Sequence, residues 1–465
     1  MRPVAASLRR RAGGWLAVAS LCLALLAPPA WADGSSRGEP PHAEETFEFV
    51  WQKLRGSRFD EGRDSIDWAA LEAAHRPAIT GATDLATLRR EVNRLLQAVG
   101  VSHLALIPSE AVPGPRRKPR PRAPEGQEGV QADVGLRLTL LDGGVHVAQV
   151  LPGSAAAEAG IGTGWAVEAI DDWRLAPVLA TLATQPEGRG RRMARLQFEM
   201  HANGRLEGLV VGETVTLALR DAAGRAREAT LAARPSEGER LRLVPGMPEQ
   251  TARYRAARLP LDDGGCALLA AFDVWAQPAY QAFVASLREH PGCDRLVLDL
   301  RGNPGGQIWT ITAIAGLLYE QRAQLGTLTT DSGRLNLAVL PRRVADDGSP
   351  LRTLHGPVAV LIDHGSASSS EIFAGGLQAT GRARVFGETS AGMALPAITA
   401  RLPSGDWLYY PTADMTDPNG RRIEGVGVTP DHPASARVAD LLAGRDPALE
   451  ASLRWLSTAR PDAAP

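Results

Sequence analysis

An α/β fold carrying a smaller β-rich module is what the sequence predicts, on three observations. Residues 296–300, apolar but for Asp299, and the wholly apolar 358–362 show the pattern of strands buried on both faces of a sheet. Each run ends in a Gly- or Ser-rich turn and then takes on helical periodicity, over 308–318 and from Ser368 to Thr380. Residues 130–236 instead show short strands punctuated by glycine turns.

The chain of 465 residues is long enough for two or three domains. A formal net charge of −1 supplies no general basic field for nucleic acid. The cations are nearly all arginine, and Lys53 and Lys118 are the only lysines. Residues 1–32 have the form of a secretory signal: Arg9, Arg10 and Arg11, an apolar stretch over 15–26, and Ala30-Trp31-Ala32 as a small-x-small cleavage site. That predicts a periplasmic or secreted protein with no membrane-spanning segment after cleavage. Cys266 and Cys293 then remain, either paired or as two buried thiols. Neither has metal-site spacing, and no cofactor motif appears.

In chain order, residues 33–44 read as a flexible leader and 45–110 as an N-terminal helical domain. Phe47, Val50, Trp51 and Leu54 make one apolar helix face, Asp67 caps a second helix, and 83–97 form a third that stops at Gly100. Residues 101–106 are strand-like and carry Ser102 and His103. A Pro/Arg-rich linker occupies 111–129. Within 130–236, the stretches from Val134 to Leu138, Val145 to Ile161 and Gly164 to Ile170 resemble a PDZ domain, with an insertion around 183–208. The resemblance implies that Gly135 and Leu136 sit at the loop that holds a peptide carboxylate, unless the groove is closed. Residues 250–465 are the α/β core, with further strands at 384–386 and 406–410 and a closing helix over 439–456.

Ser368 lies where the 358–362 strand gives way to a helix, so the unpaired N–H groups of the first turn, beginning at Ser369, face its surroundings. Such a serine can serve as a nucleophile if a base takes its proton and fixed donors hold the oxyanion. Gly305 and Gly306 are candidates for a second donor, because a missing Cβ lets backbone approach a substrate. Taken alone, Ser368-x-x-Glu371 also fits a helix capping box.

The segments 299–306, 365–371, 387–392, 423–431 and 440–446, in that order, resemble the carboxy-terminal processing (tail-specific) serine protease family. The resemblance implies a crotonase-like catalytic core, no cofactor, and cleavage of peptide or protein substrates; it leaves the oligomeric state open. Many members place a lysine where this chain has Met393, and methionine accepts no proton. A second branch, resembling the tricorn core protease, pairs its serine with histidine, a helper serine and glutamate. That branch implies Ser368 as nucleophile, His103 as general base, and Ser102 with Glu424 as its orienters. The chain departs from that branch at Gly425, where asparagine is expected. His364, four residues before Ser368, is the rival base. The alternative function is an inactive peptide-binding scaffold, motivated by Met393.

Overall fold

The computed structural model describes residues 42–57, 66–109, 130–186, 188–243, 245, 249–345 and 347–459. The expected signal segment, most of the leader and the Pro/Arg linker lie outside the described residues. Three helices begin the fold: α1 (Ala43–Gly56), α2 (Trp68–Thr80) and α3 (Leu85–Val99). Asp67 accepts from Ala70 N–H and Asp84 from Thr87 N–H, so each of the latter two helices starts at a capping aspartate. Gly100, in the left-handed region at φ 72°, ends α3. Residues 101–104 then form a turn, and the strand β1 is only Ala105–Ile107. The Ser102–His103 pair therefore sits on a turn rather than in the strand expected over 101–106. His103 takes φ 60°, a conformation that ends strand pairing for a side-chain-bearing residue.

The β-rich module has its own apolar cluster, including Leu136, Leu138, Leu140, Val215 and Phe198. Its main sheet runs β2 (Leu136–Leu141), β3 (Gly144–Val150), β4 (Ala166–Ile170), β5 (Thr214–Arg220) and β6 (Ala226–Ala232), with β2 at the edge. The expected insertion is a 16-residue helix, α4 (Arg189–Gly204), laid against β2.

The core sheet has six strands in the order β7 (Tyr254–Pro260), β8 (Cys266–Phe272), β9 (Arg295–Asp299), β10 (Val358–Ile362), β11 (Ala383–Gly387) and β14 (His432–Pro433). All neighbours are parallel except β7 and β8. Alternate residues feed opposite faces. Val358, Val360 and Ile362 pack towards α5 (Gln277–Glu289), α6 (Ile308–Ala315) and α7 (Ser369–Ala379), whereas Ala359 and Leu361 pack towards the C-terminal helix. The helix expected over 439–456 is two, α8 (Val438–Leu442) and α9 (Pro447–Thr458). Gly444 at φ 65° breaks it, and Asp446 caps the second piece ahead of Pro447. Cys266 at the start of β8 and Cys293 in the loop between α5 and β9 are joined by a disulfide, which resolves the alternatives left by the sequence.

A three-stranded sheet connects the N-terminal helices to the core. β1 pairs with β13 (Trp407–Pro411), which pairs with β12 (Ala397–Arg401). Arg89 on α3 reaches the fully buried Asp406 just before β13 with two bonds of 2.9 and 2.7 Å. Removing one partner strands a buried charge. Arg89→Ala is therefore expected to destabilise the fold by about 3–5 kcal/mol and to loosen the segment that carries His103. Urea unfolding measured beside peptide turnover checks both effects.

Candidate active site

Ser368 is the N-cap of α7 and has φ 54°, ψ −117°, the strained backbone of a residue aimed out of a sharp strand-to-helix turn. Its Oγ makes no capping hydrogen bond. Only half of the capping box carries weight here: Ser368 N–H donates to Glu371 Oε2 at 3.1 Å and to Met393 O at 2.7 Å. The hydroxyl itself is left for other use.

Glu371 is fully buried and organises the facing loop. It accepts from Ser390 Oγ, Gly392 N–H and Met393 N–H at 2.5, 2.7 and 2.8 Å. Burial pushes its carboxyl up to about 7 against the pull of those donors. The sequence marked Glu371 as a capping residue and missed its larger part, because its partners lie about twenty residues downstream.

The relay expected on His103 is drawn together from opposite ends of the chain. Glu424 Oε2 accepts from Ser102 Oγ at 3.0 Å, and Ser102 Oγ lies 2.7 Å from His103 Nδ1. A carboxylate only accepts, so the Ser102 hydroxyl proton points at Glu424 and the serine oxygen accepts from Nδ1–H. This fixes the tautomer and leaves Nε2 with its lone pair free for a proton. Desolvation lowers His103 to about 4, so the ring is neutral near pH 7. Tyr409 packs beside it, the ring centroids 5.6 Å apart.

One peptide unit couples this series to Ser368. The Met393 carbonyl accepts Ser368 N–H, and the next N–H, of Ala394, donates to Glu424 Oε2 at 2.8 Å. No hydrogen bond joins His103 to Ser368 Oγ among the described residues. Such contacts commonly tighten only when substrate is bound.

The two glycines expected at the oxyanion site differ. Gly305 N–H is spent on Asn303 Oδ1 at 2.9 Å, which takes it out of that role. Its contribution is space: a Cβ there would lie 2.7 Å from Ser368 Cβ, and its φ of 109° disfavours other residues. Among the described residues Gly306 N–H and Ser369 N–H carry no hydrogen bond, and Ser369 Oγ donates to Gly306 O at 2.9 Å, tying the two turns together.

The rival base is held elsewhere. His364 is buried, with Nε2 2.8 Å from Glu199 Oε1 and Nδ1 3.4 Å from Glu388 Oε2. Burial alone would lower it, but the two carboxylates win and raise it to about 10. A ring kept protonated takes no proton from serine. Met393, in the expected lysine position, packs its side chain with Leu196, Ala367 and Ala391. Lys53 lies over Phe49 and Tyr410, and Lys118 is outside the described residues. Met393→Ala is expected to hold kcat/KM within about three-fold, since it removes packing and no proton acceptor. Steady-state kinetics of the variant checks this. Gly135 N–H, expected to meet a peptide carboxylate, donates to Asp133 Oδ1 at 2.9 Å. Leu136 lies buried at the start of β2.

Residues 268–434 match the model of peptidase family S41. A carboxyl-terminal-processing protease of Picosynechococcus sp. is 35% identical over 140 residues, covering 30% of this chain and 32% of that protein. Carboxyl-terminal-processing peptidase 2, chloroplastic, of Arabidopsis thaliana is 32% identical over 169 residues, 36% of this chain and 30% of that protein. The chain thus spans about a third of the length of the curated relatives it matches. Among solved structures, a photosystem II D1 C-terminal processing protease superposes with a TM-score of 0.53 at 20% identity over 90% of this chain and 98% of that one. Mature CPAF complexed with lactacystin gives 0.56 at 12% identity over 89% and 98%. These likenesses establish the shared mixed α/β fold.

Proposed function

We propose, from the premise that residues 268–434 form a peptidase family S41 domain, that the protein is an exported serine endopeptidase. The observation that carries this is the hydrogen-bonded series Glu424–Ser102–His103, set one peptide unit from Ser368. His103 Nε2 takes the proton from Ser368 Oγ as that oxygen attacks a peptide carbonyl. Ser102 and Glu424 hold the ring in the Nδ1–H tautomer and stabilise the cation that forms. Ser369 N–H and Gly306 N–H receive the oxyanion. The imidazolium then gives its proton to the leaving amine, and water, activated by the same ring, releases the acyl group.

Export rests on the signal-like first 32 residues and agrees with the Cys266–Cys293 bond. Among the described residues no helix is long and apolar enough to cross a membrane. The inactive scaffold suggested by Met393 has weaker support, because a binder needs neither a fixed tautomer nor a buried relay. Turnover of an internally quenched peptide pool tests the proposal. Hydrolysis by the wild-type protein supports it, and a folded protein that binds the pool without cutting returns the scaffold.

A further inference from the structure

The β-rich module presents an edge strand beside a helix, the arrangement in which a PDZ-type fold adds a peptide tail as an extra strand. In this chain the places such a tail would use are already bonded. On β2, Leu138 N–H donates to Asn203 Oδ1 at 2.8 Å, and Leu138 O accepts from Asn203 Nδ2 at 3.0 Å. Leu140 N–H donates to Glu199 Oε1, and Leu140 O accepts from Arg195 Nη2 at 3.1 Å. At the loop end, Asp133 supplies a carboxylate to Gly135 N–H.

Arg195, Glu199 and Asn203 recur at i, i+4, i+8, so one row of α4 faces the strand edge. The Asn203 carboxamide takes both polar groups of one residue, as a neighbouring strand would. Below this row the space is filled, because Phe198 and Ala202 pack against Leu136, Leu138 and Leu140. An entering tail would exchange hydrogen bonds one for one with little net gain, and would meet an occupied apolar floor.

The same helix also touches the catalytic loops. Arg192 Nη2 donates to Gly425 O at 2.8 Å and Val426 O at 3.2 Å, immediately after Glu424. Leu196 packs on Ala367, Ala391 and Met393. Glu199, besides serving β2, holds His364 at 2.8 Å. Drawing Glu199 out of the groove would unseat His364, on the turn that ends in Ser368.

We propose that the module is liganded by its own helix, and that α4 acts as a fixed strut on the catalytic loops. The enzyme then accepts internal stretches of polypeptide without requiring a free C-terminal carboxylate. The cleavage part rests on the proteolytic function proposed above; the filled groove does not.

Two arms keep them apart. Fluorescein-labelled random decapeptide pools ending in valine, as free acid and as amide, are titrated against the Ser368→Ala protein. The same two chemistries, in quenched form, are offered to the wild-type enzyme. Binding and kcat/KM are each expected to agree within about two-fold between acid and amide. A free-acid preference of about ten-fold or more in either arm overturns the proposal. If nothing is cleaved, the binding arm still decides the groove. For the strut, Arg192→Ala is expected to lower kcat about ten-fold with KM within about two-fold. An unchanged kcat would remove the strut.

Discussion

Ser368→Ala is expected to lower kcat by about 10⁴-fold or more while leaving the fold intact. The substitution removes only Oγ, which takes no part in capping α7. What holds the turn stays: Ser368 N–H keeps Glu371 and the Met393 carbonyl, and both relations are backbone-based. KM should change little, since the hydroxyl contributes to the reaction rather than to ground-state binding. Thermal unfolding of the variant beside its turnover separates chemistry from folding. A variant retaining a tenth of wild-type activity would place the nucleophile elsewhere.

His103→Ala is expected to cost about 10³–10⁴-fold in kcat, and Met393 is no substitute. The pH profile gives a second signature. His103 works as a base when unprotonated, and desolvation holds it at about 4. The limb that His103 sets should therefore lie near pH 4 rather than at 6.5, where an ordinary histidine charges. Glu371 titrates near 7, and Glu371→Gln should take that step out of the profile while leaving the lower limb. Kcat/KM measured from pH 4 to 9 on the two proteins distinguishes the groups. A wild-type limb at 6.5 that survives Glu371→Gln would mean a solvent-exposed histidine is the base.

Part of the candidate site was legible in the sequence. A buried strand ending in a Ser-rich turn marked Ser368, whereas Ser102 and His103 were marked by the family resemblance, and the turn that carries them replaces the strand read over 101–106. Parts that depend on distant neighbours were not legible. His364 looked like a base from its spacing to Ser368, but Glu199, 165 residues upstream, determines its charge. Gly305 looked like a donor until Asn303 claimed its amide. Glu371 looked like a cap, whereas it also gathers the 390–393 loop.

Helix α4 is the instructive omission. Residues 183–208 are rich in arginine and read as an insertion, yet Ala194, Phe198, Ala202 and Leu206 recur every four residues and are all buried. That stripe was the available signal. Its consequence, a helix whose neighbouring rows meet β2 and the loops around Ser368 and Glu424, follows only from the tertiary arrangement. The N-terminal helices make the same point, because His103 reaches the core through β1–β13 pairing and the Arg89–Asp406 bond. Neither connection has a local signature.

In the proposed mechanism His103, and no lysine, activates Ser368. The most direct measurement is the rate of labelling by a fluorophosphonate probe, with the modified residue located by mass spectrometry. The wild-type protein should carry the label on Ser368, Met393→Ala should label at a similar rate, and His103→Ala should not label in the same time. Labelling of Ser368 in His103→Ala at the wild-type rate would place the activating base elsewhere.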